Sequence, residues 1–112
     1  MLKGGVRPLG IRPEVLLAHI EVRSIFREIV GYCVVTCGME GKHSIASLHY
    51  AGNALDYRAN TILDNTVRDT ILNRVRSDLG YPDSDYDFIL EVDEEEPEND
   101  HFHLEYQPKR SY

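Results

Sequence analysis

Four of the five histidines in this chain of 112 residues lie in two short segments, Lys42–Arg58 and Asn99–Tyr106. In the second segment, strand alternation sends Phe102, Leu104 and Tyr106 to one face and His101, His103 and Glu105 to the other. In the first, Gly52 lets the chain turn between His49 and Asp56, so that those two side chains can converge. Zinc favours imidazole and carboxylate ligands, and a catalytic zinc takes three from the protein and leaves the fourth position to water. His49, Asp56 and His103 make up such a set, which points to one zinc ion. An isolated histidine is usually solvated or satisfied. Two on one strand face, with two more beside a glycine-rich turn, are harder to set aside.

The elements that must position these groups follow from periodicity. Residues 1–12 hold Gly4, Gly5, Pro8 and Gly10 and read as an irregular N-terminal arm. Pro13 suits a first helical turn, and Val15, Ala18, Val22, Ile25, Phe26 and Ile29 form an apolar stripe that Gly31 is placed to end. His19 falls along that stripe and reads as structural. Tyr32 to Thr36 is a β-branched run, hence a strand, and residues 37–52 read as a loop. Asn53 to Arg58 alternates as a half-buried strand, with Asp56 and Arg58 on one face. Asp64 can cap a second helix carrying Val67, Ile71, Val75 and Leu79, closed by Gly80 and Pro82. Tyr86 to Val92 reads as a strand, Asp93 to Asp100 as an acidic loop, and Phe102 to Tyr106 as the last strand. This order predicts an α+β domain, residues 1–112, with two helices on one face of a mainly antiparallel sheet.

Composition narrows the functions. The net charge of −7 argues against a phosphate-binding surface, so nucleic acid is a poor partner. No apolar run approaches the ~20 residues of a membrane span, and the N-terminus lacks the apolar core of a secretory signal. The expectation is a monomer that is cytoplasmic or released at lysis. Cys33 and Cys37 lie ~13 Å apart in an extended segment, beyond disulfide reach, and read as small buried thiols. Ser47 reads as a turn residue, because no base is spaced to activate it. The acidic run from Asp93 to Glu98 reads as a solvated loop, since calcium needs roughly six to eight converging oxygens.

The string Ser47-Leu48-His49-Tyr50-Ala51-Gly52-Asn53-Ala54-Leu55-Asp56 closely resembles the Ser-x-His-x-x-Gly-x-Ala-x-Asp signature of the D-Ala-D-Ala metallopeptidases. These are zinc carboxypeptidases, dipeptidases and phage endolysins that cut peptidoglycan peptides. It is also similar to the zinc segment of hedgehog signalling domains, which share that fold. Asp100-His101-Phe102-His103 resembles the family's second motif, whose last histidine is the third ligand. The resemblance spans residues ~30–107 and implies a hedgehog/D-Ala-D-Ala peptidase-like fold with zinc on His49, Asp56 and His103. It implies a catalytic acid three residues before the last ligand, which is Asp100 here. Hedgehog forms place a glutamate farther upstream, where this chain offers Glu96 or Glu98. His43 matches a site histidine of the hedgehog form. The arginine that often holds the substrate carboxylate in the peptidases is missing from Thr36–Glu40, and Arg58 is the substitute candidate, against a plain ion pair with a neighbouring carboxylate.

The implied chemistry is metal-assisted amide hydrolysis in peptidoglycan stem peptides. Asp100 is the first candidate base and Glu98 the second. His101 or His43 would stabilise the oxyanion or hold substrate. The alternative is a binding module of hedgehog-like type that keeps zinc without turnover.

Overall fold

The computed structural model describes residues 11–37 and 53–108. Its first helix, α1 (Pro13–Ile29), starts with proline at the first helical position, where a missing N–H costs nothing. Val15, Ala18, Val22, Ile25 and Phe26 are buried along it, the stripe expected from spacing. Gly31, at φ 87°, ends it in the left-handed region that favours glycine. The strand β1 (Val35–Cys37) is short and shifted toward its C-terminal end from the expected Tyr32–Thr36. Its pairing register shifts between Val35 and Cys37, and Arg58 N–H donates to Val34 O beyond the regular ladder.

After the strand β2 (Ala54–Arg58), Asp64 caps the second helix, α2 (Asn65–Asp78), by accepting the Thr66 N–H at 2.8 Å. Ile71 and Val75 are buried as the stripe requires, whereas Val67 and Leu79 are only partly covered. The stripe has an unexpected member in Arg68, which is 8% exposed. The strands β3 (Tyr86–Glu91) and β4 (His101–Tyr106) flank the acidic segment, which contains a short 3-10 turn at Pro97–Asn99.

The four described strands form one antiparallel sheet in the order β1-β2-β4-β3. The two described helices make this an α+β fold. Leu55, Tyr57, Phe88, Phe102 and Leu104 on one sheet face join Val15, Val22 and Phe26 of α1 and Ile71 and Val75 of α2 in a single apolar cluster. Phe26 meets Phe102 edge-on with ring centroids 5.4 Å apart, and Phe88 stacks on Phe102 at 5.3 Å. Both helices therefore cover the same face. The register leaves Asp56, Arg58, His101, His103 and Glu105 to the other face. None of the described helices is long and apolar enough to cross a membrane. Cys33 is buried, and burial pushes its thiol up to about 11, as an inert core thiol requires. The Cys37 side chain lies outside the described structure.

Candidate metal centre

The central strand β4 carries three polar side chains on the face away from the helices, and its neighbours supply the rest. Cα pairing sets Asp56 opposite His103 and Arg58 opposite His101 on one side. On the other side, Asp87 lies opposite Glu105, Ile89 opposite His103 and Glu91 opposite His101. Directly opposed residues share a face, so alternation alone brings these groups together.

One ligand atom from each of Asp56, His101 and His103 lies within 4.8 Å of the others, a group that can hold a metal ion. His103 Nδ1 is 2.6 Å from Asp56 Oδ1 and its Nε2 is 3.1 Å from Glu105 Oε1. His103 and Asp56 are 13% and 14% exposed, so both are largely shielded from solvent. Burial works against the charged form of His103. The hydrogen bond and charge of Asp56, with the charges of Glu105 and Glu91, outweigh it and raise its pKa above 6.5.

His101 is oriented from behind. Its Nδ1 lies 2.9 Å from Asn99 O, and because a carbonyl only accepts, Nδ1 carries the proton. Its Nε2 is turned inward, 3.8 Å from Asp56 Oδ2 and 3.6 Å from Glu91 Oε1. A ring N–H fixed on a backbone carbonyl with the second nitrogen turned inward is the arrangement that orients metal-binding histidines. Asp56, Glu91 and Glu105 gather around two imidazoles, and that excess of negative charge favours a cation. The donor set of imidazole and carboxylate thus fits a metal ion.

The sequence candidates separate in space. Asp56, His101 and His103 are together, and Arg58 shares their face at the register of His101. No carboxylate among the described residues pairs with Arg58. His49 and His43 lie outside the described residues. Asp100, the first candidate base, faces the other way: Oδ2 is 2.9 Å from Arg68 Nη1 and Oδ1 accepts the Asp93 N–H at 2.9 Å. It is only 5% exposed. Its odd spacing from His103 explains the outcome, since residues three apart along extended chain leave on opposite sides. Burial resists ionisation of Asp100, but the Asp93 amide, Arg68 and His101 together prevail and hold its pKa below the usual value. Glu98 sits exposed on the 3-10 turn, outside the converging group. Alternation puts Glu105 on the face of His101 and His103 without giving it a role; Glu91 was not singled out from the sequence, although β3 alternation from Phe88 inward already assigns it to the polar face. His19, read as structural, has its Nδ1 2.8 Å from the hydroxyl of the fully buried Tyr57.

The chain matches no family model, no curated protein and no solved structure.

Proposed function

We propose that this chain is a zinc-dependent peptidase acting on amide bonds of peptidoglycan stem peptides. The observation that carries the reading is the convergence of Asp56, His101 and His103 on the sheet face away from the two described helices. Asp56 and His103 would be two of the ligands, a role supported by the motif and by their pairing across β2 and β4, and His49 would complete the set as the resemblance implies. Zinc held there supplies a water of lowered pKa and polarises the scissile carbonyl. Glu91 is the acid at hand: its Oε1 lies 3.6 Å from His101 Nε2, and at 49% exposed its side chain reaches solvent. Glu91 takes the proton of the attacking water and returns it to the leaving nitrogen. His101, held by Asn99 O, offers Nε2 to the same water and orients it. Arg58, which shares that face, would meet the substrate carboxylate.

Metal analysis coupled to a digest of purified murein, read by fragment mass, tests this reading. Release of D-Ala or of a cut stem peptide, abolished by chelator, is expected. Zinc-loaded protein that cuts neither murein peptides nor intact sacculi overturns it. His49→Ala should lose zinc while His101→Ala keeps it; the reverse pattern moves the third ligand to His101.

A second reading is a zinc-stabilised binding module without turnover. The observation favouring it is Asp100, the acid the peptidase motif supplies, which is committed to Arg68. Under that reading chelation releases a protein or wall partner, and enzyme-like hydrolysis of stem peptides excludes it.

A further inference from the structure

We infer that Arg68 and Asp100 are a positioning pair that sets the geometry of the metal centre from the opposite face of the sheet. The inference rests on the zinc reading above.

Arg68 spends its guanidinium on three partners. Nε donates to Ile62 O at 2.6 Å, Nη2 to Ala59 O at 2.9 Å and Nη1 to Asp100 Oδ2 at 2.9 Å. The first two are carbonyls of the turn that follows β2, so α2 grips the end of the strand carrying Asp56. Asp100 gathers the other two strand ends. Its Oδ1 accepts from Asp93 N, just past the end of β3 at Glu91, and its own carbonyl accepts the Ala59 N–H at 3.1 Å. The next residue along the chain is His101. One buried pair thus ties the ends of β2, β3 and β4 beside the row of Arg58, His101 and Glu91, one row out from Asp56 and His103.

A buried ion pair is weak evidence for stability, since a well-packed apolar pair of similar size often serves as well. What an apolar pair cannot do is fix three strand ends by directed hydrogen bonds. A planar guanidinium with donors in a rigid fork suits that task, and a lysine ammonium does not. The pair touches no candidate ligand atom and acts through the backbone of Ala59, Asp93 and His101. It is a positioning device and not part of the reacting set.

The test uses the full chain with Asp100→Asn, Arg68→Lys and the double variant Arg68→Met/Asp100→Leu. Cobalt(II), a spectroscopic substitute for zinc, is titrated into each, and affinity and visible absorption band are recorded. Thermal unfolding and the ring-nitrogen NMR shifts of His101 and His103 are measured on the metal-free proteins. Each variant should lose up to roughly 10-fold in cobalt affinity, the low end for outer partners of a metal ligand, because the pair reaches Asp56 only through the backbone at the end of β2. The cobalt band should change, and the His101 ring signals should move as its Asn99 contact is disturbed. The double variant loses the bonds to Ile62 O, Ala59 O and Asp93 N as well and should unfold at a lower temperature. Affinity, band and His101 signals are therefore compared at a temperature where every variant is folded, which separates positioning from stability. Folded variants that bind cobalt with wild-type affinity and band, or that leave the His101 signals in place, overturn the inference. Wild-type protein that binds neither cobalt nor zinc removes the metal reading alone. The His101 signals of the variants then decide the positioning claim independently.

Discussion

Asp100 and His101 are neighbours in the chain, yet one points to the helices and the other to the opposite face of the sheet. The side on which a carboxylate leaves the sheet decides what it can do. Asp100 is buried with both oxygens engaged, so a water on the far side of the sheet is beyond its reach. Glu91 has the opposite parity and stands beside His101. Glu91→Gln keeps the shape and removes the proton acceptor. It should retain one zinc per chain and lose roughly 10²- to 10⁴-fold in murein hydrolysis, the usual contribution of a general base. Glu98→Gln, by contrast, should leave the rate near wild type. Metal content and fragment release measured on the two variants check this, and the opposite ranking returns the base to the acidic loop.

At the scale of elements, the helices and strands were legible because burial repeats with period. The α1 stripe, the Asp64 cap and the β4 alternation each rest on a local pattern that the fold then uses. What was not legible depends on contacts distant in the chain. Arg68 interrupts an apolar stripe and finds its partner Asp100 only after β4 returns beside β2. Glu91 gains meaning from its register with His101, which no single segment carries. The pairing of the candidate ligands was half legible: alternation set the face of His103, and only the sheet order put Asp56 opposite it. His19 is a coupling of the same long-range kind, joining α1 to Tyr57 of β2. Burial, with the positive charge of Arg23, holds the His19 pKa below its ordinary 6.5. The unfolded chain then binds the extra proton more readily, so stability rises with pH across that window. The contribution of neutral His19 is complete above 6.5 and is lost as pH falls through the lowered folded value. Urea unfolding from neutral pH down to about pH 5 should show this as a slope that His19→Gln flattens. Equal slopes in both proteins refute it.

For the whole molecule, the candidate ligands sit on strands that meet only when the sheet is complete. Asp56 and His103 are 47 residues apart in the chain and reach hydrogen-bond distance through the β2–β4 register. An unfolded chain has no such register, so a metal bound there binds the folded state and shifts the folding equilibrium toward it. At a free zinc concentration about 100 times the Kd, the gain is about 2.7 kcal/mol. For a domain of this size that corresponds to a rise of roughly 10 °C in the unfolding temperature. Chelator should reverse the rise in the wild type and do nothing to Asp56→Ala, whose starting temperature already lacks it. The effect should also grow with the logarithm of zinc concentration, as linkage requires and as nonspecific salt effects do not. Thermal scans over a zinc series check both points. Coincident scans with zinc and with chelator would show that the open face holds its imidazoles and carboxylates together by their own hydrogen bonds, without a metal.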